Sequence, residues 1–256
     1  MLLAVDIGNS TISFGIFEGE EIKCAFKAAS RRKTTPDEYS AFLRTQLAAY
    51  KIPPGAIDGT VISSVAPVLV GVFFGVLKTL EMPSPLLVSS RLKLPIKIKY
   101  KNPETLGSDR IAAASGAFLG GNGPVAVLDF GTATTISVVD SGGNFLGGTI
   151  SPGLITSYEA LTNAAAGLPK IGLAYPKKVI GEDTTEGLES GVIIGHAAMA
   201  EGLLMRMEGQ SGAKFRAVAT GGLADMVAPH MARKPEIYPH LTLKGLAAIY
   251  KMNLDK

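Results

Sequence analysis

Two stretches of the chain combine an acidic residue, a glycine and hydroxyl side chains in the order Asp-x-Gly-x-x-Thr. One runs from Asp6 to Thr11 and the other from Asp129 to Thr134, and each lies between two apolar runs. Glycine lets backbone N–H groups approach an anion, and nearby amide and hydroxyl groups can donate to phosphate oxygens. The carboxylates cannot donate to phosphate, so they suit a cation that is bound directly or through water. Both stretches are therefore candidate phosphate loops.

Each candidate loop has glycine and several side-chain donors. In the first loop these are Gly8, Asn9, Ser10 and Thr11, and in the second they are Gly131, Thr132, Thr134 and Thr135. An ordinary hairpin turn, with Asp ending a strand, is the alternative for either loop alone. Recurrence of the motif in the same strand–turn–strand context favours the phosphate loops.

A third motif, Thr220-Gly221-Gly222, follows an apolar run at 217–219 and precedes a predicted helix. Paired glycines at such a turn let a flat ring or a ribose lie against the backbone. A plain tight turn is the alternative. The chain contains no Gly-x-x-x-x-Gly-Lys-Ser/Thr or Gly-x-Gly-x-x-Gly stretch, which excludes the nucleotide-binding folds that use them.

The elements around the two Asp motifs also repeat. Alternating and apolar runs predict a three-stranded meander at 2–6, 12–17 and 22–27, and a second one at 125–128, 136–139 and 145–150. The two meanders lie about half a chain apart, which indicates two similarly folded α/β domains, residues 1–112 and 113–256.

Two further segments have clear local signals. Thr35, Pro36 and Glu38 are typical of a capped helix start. The uncharged stretch 59–77 approaches the length of a membrane span, but Pro67 would break a helix near its middle. We predict a strand at 60–62, a turn, and an apolar helix at about 68–80, in a soluble protein.

Composition excludes several classes of protein. The chain has 256 residues, 46% of them hydrophobic and 18% charged, which is the opposite of a disordered chain. A net charge of +3, with Arg31-Arg32-Lys33 as the one short basic cluster, does not indicate nucleic-acid binding. One cysteine and three scattered histidines give no disulfide framework or metal-ligand spacing. The N-terminal segment has no export signal, so we expect a cytoplasmic protein.

With these motifs the sequence resembles the superfamily of acetate and sugar kinases, heat-shock chaperones and actin, and within it the type III pantothenate kinases. The Gly-x-Asp-Arg order at Gly107–Arg110 is the most specific feature, and Ser10, where the family usually has Thr, keeps a hydroxyl. The resembling segments span nearly the whole chain: 6–11, 63–67, 100–103, 106–110, 129–135, 147–153, 183–185 and 241–246.

The resemblance implies two ribonuclease-H-like, actin-like ATPase domains with a cleft between them. It also implies ATP-dependent phosphorylation of pantothenate to 4′-phosphopantothenate, the first step of coenzyme A biosynthesis, by a homodimer whose pantothenate pocket lies at the subunit contact. Apolar helices such as 68–80, which one subunit would not cover fully, agree with a homodimer.

The resemblance also assigns roles to single residues. ATP would contact Asp6, Ile7, Gly8, Asn9, Ser10, Thr11, Ile12, Ser13, Thr132, Gly221 and Gly222. Mg²⁺ would be held through water at Asp6, and a monovalent cation, K⁺ or NH₄⁺, at Asp129. Pantothenate would contact Tyr100, Gly107, Ser108, Asp109, Arg110 and Thr184, with Asp109 as general base.

Elementary chemistry agrees with the roles of Asp109 and Arg110. A carboxylate can take the proton of a hydroxyl, and a guanidinium can pair with the carboxylate of pantothenate. The alternatives are helix caps for Asp109 and Thr184 and an ordinary strand aromatic for Tyr100. Two other functions compete: a small-molecule kinase with a different acceptor, decided by segment 100–110, and a non-catalytic nucleotide-binding regulator, which we would expect to lack Asp109 or one loop.

Overall fold

The computed structural model describes residues 1–165, 167–172 and 174–254. Its contacts divide the chain into two compact units: unit 1 comprises Met1–Gly120 together with the residues from His240 onward, and unit 2 comprises Gly121–Pro239. The boundary expected near residue 112 lies inside the helix Ser108–Leu119, and the last helix, which we expected in the second domain, groups with unit 1 in this division.

The helices and strands follow one another in this order: β1 (Leu2–Ile7), β2 (Thr11–Glu18), β3 (Glu21–Ala29), α1 (Pro36–Ala49), β4 (Gly59–Ser64), α2 (Pro67–Thr79), β5 (Leu86–Leu87), β6 (Lys97–Ile98), α3 (Ser108–Leu119), β7 (Val125–Phe130), β8 (Ala133–Val139), β9 (Asn144–Pro152), α4 (Leu154–Ala164), α5 (Thr184–Ser211), β10 (Arg216–Thr220), α6 (Ala224–Val227), β11 (Glu236–Ile237) and α7 (Leu241–Lys251). Short 3₁₀ turns occur at Pro54–Ala56, Pro103–Thr105 and Ala228–His230.

Unit 1 contains a mixed sheet with the strand order β3-β2-β1-β4-β5. The first three strands form an antiparallel meander, and β4 then pairs in parallel with β1. The apolar face packs under α1 and α2, with Leu3, Phe14, Leu43 and Phe73 among its buried members.

Two local sequence patterns in unit 1 form the structures that were predicted from them. Thr35 caps α1: its side chain accepts a hydrogen bond from the N–H of Glu38, and the Glu38 carboxylate accepts one from the N–H of Thr35. The uncharged stretch forms β4, a turn and α2, so the predicted strand–turn–helix is confirmed.

Unit 2 repeats this topology. Its strands follow the order β11-β10-β7-β8-β9, in which β7, β8 and β9 form an antiparallel meander and β10 is parallel to β7. The repeat predicted from the two Asp motifs is therefore present at the level of whole elements.

Helix α5 supplies much of the core of unit 2. Ile193, Ala197 and Leu204 on its inner face are buried, together with Phe215 and the inner residues of the sheet. By length and composition it is the one helix in the described part of the chain that could cross a membrane. A core helix passes the same test, and the buried face of α5 is that of a core helix.

Helices α3 and α7 cross with their backbones in close contact within unit 1. Gly116 on α3 and Gly245 on α7 meet at the crossing. A Cβ at Gly245 would overlap the carbonyl oxygen of Ala112, and a Cβ at Gly116 would lie 2.6 Å from the carbonyl oxygen of Leu241. Side chains are excluded here, so α7 fixes the position of α3.

We expect Gly245→Ala to lower the free energy of unfolding by about 1–3 kcal/mol, because the added methyl group forces the two helices apart. Gly71→Ala is the matched control, since nothing lies within 4 Å of a Cβ there and alanine favours the helix α2. Urea unfolding followed by circular dichroism measures both. Equal stability of the two variants would contradict the close crossing.

Candidate active site

The first candidate phosphate loop is a β-hairpin between β1 and β2. The N–H of Gly8 donates to the carbonyl oxygen of Thr11 over 3.0 Å, which closes the turn. Asn9, Ser10 and Thr11 are exposed at its tip, whereas Asp6 lies opposite Ser13 at the base. The structure thus brings all the predicted residues from Asp6 to Ser13 into one hairpin with its donors facing outward.

A serine on the neighbouring strand orients the Asp6 carboxylate. Asp6 and Ser63 are register partners in the parallel pair β1–β4, and the buried Ser63 hydroxyl donates to Asp6 Oδ1 over 2.6 Å. Segment 63–67 is one of those that carry the family resemblance, but no role for Ser63 follows from its sequence alone. Parallel pairing of the two strands was the missing information.

The next serine along joins β4 to the start of α3. The N–H of Ser64 donates to Ser108 Oγ over 2.9 Å, and that hydroxyl donates to the carbonyl oxygen of Ser64 over 3.2 Å. Two adjacent residues of β4 therefore hold the Asp6 hairpin and the helix that carries Asp109.

Asp109 lies in the first turn of α3 in a half-buried position. Burial raises the pKa of its carboxyl group, and the N–H of Arg110, which donates to Asp109 Oδ1 over 2.8 Å, only partly offsets this effect. The N-cap of α3 is Gly107, so Asp109 does not cap the helix. A buried carboxyl group with a raised pKa is a stronger base than an exposed one once it is ionised.

The other predicted substrate residues are distributed over both units. Arg110 is buried at the start of α3, and Tyr100 is half-buried between β6 and the turn at 103–105. Thr184 is exposed at the start of α5 in unit 2. Its neighbour Asp183 is the N-cap, accepting from the N–H of Glu186 over 2.8 Å, so Thr184 is not a cap either.

The second phosphate loop is a tighter hairpin between β7 and β8. The N–H of Gly131 donates to the carbonyl oxygen of Ala133 over 3.1 Å, which leaves Thr132 exposed at the tip. A Cβ at Gly131 would make only ordinary contacts at 3.5 Å, whereas one at Gly8 would lie 2.8 Å from the Thr11 carbonyl oxygen. Glycine is thus sterically required in the first hairpin but not in the second.

The start of α4 holds the tip of the second hairpin. The carbonyl oxygen of Thr132 accepts from the N–H of Gly153 over 3.0 Å and from Thr156 Oγ1 over 2.7 Å. A Cβ at Gly153 would overlap the carbonyl oxygen of Gly131. Sequence reasoning missed Thr156, whose type and position give no signal without the contact.

The Thr-Gly-Gly turn lies against the base of the same hairpin. Gly221 has a φ of +95°, and a Cβ there would lie 2.5 Å from both Asp129 Oδ1 and the carbonyl oxygen of Phe130. That carbonyl oxygen also accepts from the N–H of Leu223 over 3.1 Å. The candidate adenosine motif and the candidate cation ligand are therefore neighbours.

The candidate cation ligands, Asp6 and Asp129, are single carboxylates. Among the described residues, no group of three His, Cys, Asp or Glu side chains could enclose a metal ion. Mg²⁺ commonly binds through one or two carboxylates, with water and substrate phosphates completing its shell. Asp6, beside an exposed loop of phosphate donors, fits that mode of binding.

Solved structures similar to this one define its fold class. A ROK family glucokinase from Streptomyces griseus in complex with glucose and AMPPNP is 14% identical, with a TM-score of 0.57 over 97% of this chain and 98% of that one. A conserved protein from Campylobacter jejuni, whose name places it in the Baf family of transcriptional activators, is 20% identical, with a TM-score of 0.61 over 99% and 100%. The predicted α/β fold of two similar ribonuclease-H-like, actin-like domains is confirmed.

Sequence comparison gives the family. A family model for type III pantothenate kinase matches residues 2–206. The type III pantothenate kinase of Roseiflexus sp. (strain RS-1) is 40% identical over 253 residues, 99% of each chain. That of Moorella thermoacetica is 39% identical over 254 residues, 99% of this chain and 100% of its own. This chain belongs to the type III pantothenate kinase family, which confirms the resemblance.

Proposed function

We propose that the protein transfers the γ-phosphoryl group of ATP to the primary hydroxyl of pantothenate, giving 4′-phosphopantothenate and ADP in the first step of coenzyme A biosynthesis. The observation that carries this proposal is the placement of a half-buried carboxyl group with a raised pKa, Asp109, beside the Asp6 hairpin. Ser63 and Ser64 connect the two. Phosphoryl transfer needs a positioned base next to a phosphate-binding element, and unit 1 contains both.

The nucleotide is bound by three elements. Backbone N–H groups and hydroxyls from Asp6 to Ser13 meet the phosphates, Thr132 contacts ATP from the second hairpin, and Gly221 and Gly222 lie against the adenosine. Asp6 holds Mg²⁺ through water. The exposure of both hairpin tips and the bare backbone of the Gly221 turn support these roles.

The acceptor is bound by Tyr100, Gly107–Arg110 and Thr184. Arg110 pairs with the pantothenate carboxylate, and Asp109 takes the proton of the primary hydroxyl. As that proton leaves, the oxygen forms a bond to the γ-phosphorus and the bond from this phosphorus to the β,γ-bridging oxygen breaks, with its electrons leaving on ADP. The raised pKa of Asp109 suits it to this proton transfer.

Asp109→Asn is expected to lower kcat by at least about 10²-fold with little change in the KM for ATP, because the amide cannot accept the proton. Arg110→Ala is expected instead to raise the KM for pantothenate.

In the wild type, kcat should fall on acidification through a pKa above the ordinary aspartic acid value of about 3.9, since protonated Asp109 is inactive. A coupled assay of ADP release measures all three quantities.

Asp58→Asn is the matched control, because Asp58 is exposed and pairs only with the N-terminal amino group among the contacts described. It should keep the wild-type rate. If Asp109→Asn keeps a near-normal kcat with pantothenate, the base lies elsewhere, with Asp6 as the next candidate. If the wild type itself releases no ADP with pantothenate, the acceptor is a different molecule.

We propose that Asp129 binds a monovalent cation, K⁺ or NH₄⁺. Its carboxylate leads a hairpin that faces phosphate, and a bound cation relieves that repulsion. Asp129 Oδ1 and the carbonyl oxygen of Phe130 both lie beside Gly221, so a cation near this carboxylate has two kinds of oxygen ligand within reach.

Activity should therefore be higher in potassium or ammonium buffer than in sodium or tetramethylammonium buffer, and Asp129→Asn should lower activity and remove this dependence. Asp225→Asn, an exposed change elsewhere in unit 2, is the control that should keep it. Equal rates of the wild type in all four buffers would remove the proposal.

We propose that the protein is a homodimer with the pantothenate pocket at the subunit contact, and that α4 and α5 form the contact. Thr184 begins α5, so a shared pocket requires α5 to be close to the partner. Gly187, Gly191 and Gly195 form an exposed row along α5, beside a cavity of about 410 Å³ that Leu161 of α4 also lines. Small residues in a row allow another helix to approach closely.

Leu161→Glu should shift the protein to monomers and raise the KM for pantothenate, because a charge would be buried in the contact. Phe74→Glu on α2 is the matched control, since Phe74 is 43% exposed and Leu161 is 44% exposed. Light scattering at micromolar concentration gives the mass. A fully active monomeric wild type, or dissociation by Phe74→Glu alone, would contradict this contact.

We propose a soluble enzyme of the cytoplasm, where ATP is available to it. Recovery of the protein only from a membrane fraction that resists carbonate extraction would contradict that location.

A further inference from the structure

The stem of the second hairpin is joined to α5 by a buried hydrogen bond between two side chains. It connects Thr134 Oγ1 on β8 with His196 Nε2 over 2.7 Å. His196 is 6% exposed and Thr134 is 2% exposed, so water does not compete for either group. In the sequence His196 is only one of three scattered histidines, and nothing there connects it with the hairpin.

Burial suits His196 to this contact. It lowers the pKa of the imidazole, so the ring is neutral near neutral pH and forms an uncharged hydrogen bond with the hydroxyl. The ring also lies against Phe130, with 6.2 Å between the ring centroids. His196 therefore contacts both strands of the hairpin, β7 through Phe130 and β8 through Thr134.

Each part of the hairpin has its own support. Gly153 and Thr156 hold the tip at Thr132, and the Gly221 turn packs against the base at Asp129. The tip and base contacts are made largely to backbone carbonyl oxygens and depend on glycines at 153 and 221, which cannot be changed without moving the backbone. The stem contact depends on the types of two side chains, so substitution can test it without rebuilding the backbone.

Helix α5 is a firm support for this contact. Near its C-terminal end, Glu208 accepts hydrogen bonds from the N–H of Phe215 over 3.0 Å and from Lys214 Nζ over 2.7 Å. Burial opposes ionisation of Glu208, but these bonds and Arg233 outweigh it and lower its pKa to about 2. His196 thus projects from a helix that is fixed independently of the hairpin.

The geometry points to His196 as a positioning residue, which holds the second hairpin in its ATP-binding form through Thr134. This inference rests on the proposed function, in which Thr132 of that hairpin contacts ATP. The side chain of Thr134 is buried, and Thr132, two residues earlier on the exposed tip, makes the contact with the nucleotide. Loss of the stem hydrogen bond removes one of the three supports of the hairpin and lets the stem shift, and the tip shifts with it.

The test replaces His196 with two amide side chains, whose polar groups lie at the positions of different ring nitrogens. His196→Asn places its amide near Nδ1 and cannot reach Thr134, whereas His196→Gln places it near Nε2 and can. We expect His196→Asn to raise the KM for ATP about threefold to tenfold, with less than about a twofold change in the KM for pantothenate. His196→Gln should recover most of that loss.

Thr134→Val, which removes the hydroxyl and keeps the shape, should reproduce the effect of His196→Asn. The double variant should be no worse than either single change, since both remove the same hydrogen bond. Ser190→Ala is the control on the same helix: its hydroxyl donates to the carbonyl oxygen of Val179 over 2.6 Å, away from the hairpin. It should lower the melting temperature without raising the KM for ATP.

Thr132→Ala separates failure of the inference from failure of the proposed function. If Thr132→Ala raises the KM for ATP and His196→Asn does not, His196 is only a packing residue and the inference is wrong. If neither variant changes it, the hairpin is not the phosphate loop. If His196→Asn and Ser190→Ala change both KM values alike, the effect is one of general stability, and the inference is again wrong.

Discussion

Close approach of backbone to backbone is the constraint on which the candidate site depends. It occurs where α4 meets the carbonyl oxygens of the second hairpin, where the Gly221 turn meets Phe130, and where α7 crosses α3. At each place a methyl group would fill the space that a carbonyl oxygen occupies. These contacts align polar backbone groups without long side chains, which leaves the hairpin tips open to a ligand.

The three acidic residues of the site share a chemical type but differ in surroundings. Asp6 accepts from a buried serine on the adjacent parallel strand, Asp129 lies under a glycine turn, and Asp109 is half-buried at the start of a helix. The two hairpin carboxylates arise from one repeated topology and suit cations. Asp109 lies outside the two Asp-x-Gly-x-x-Thr hairpins, on helix α3, and burial raises the pKa of its carboxyl group. The repeated hairpins thus supply the candidate phosphate and cation groups, while the candidate base comes from a helix.

Patterns confined to a few neighbouring residues allowed much of the fold to be predicted. The meanders, the capping box at Thr35 and the strand–turn–helix at 59–79 follow from short-range signals, and the repeated motif predicts the repeated topology. The contacts that complete the site join residues far apart in sequence: Ser63 with Asp6, Thr156 with Thr132, and His196 with Thr134. Serine, threonine and histidine have no distinctive spacing there, so only the folded chain identifies these partners. The packing of α7 in unit 1 could not be predicted for the same reason. Gly245 indicates that another backbone comes close, but the sequence does not show that this backbone belongs to α3.

The placement of α7 has a consequence for the order in which the protein is made. Residues 121–239 form one continuous unit, whereas unit 1 is completed by a helix that the ribosome adds after all of them. The entropy cost of closing unit 1 around this insertion grows only logarithmically with length, by about 0.6 kcal/mol for each doubling, so a long insertion is tolerated. A nascent chain therefore finishes the second hairpin before α3 gains the helix that supports it. Helix α3, which carries the candidate base Asp109, therefore gains the neighbour that fixes its position only when the last helix has been made.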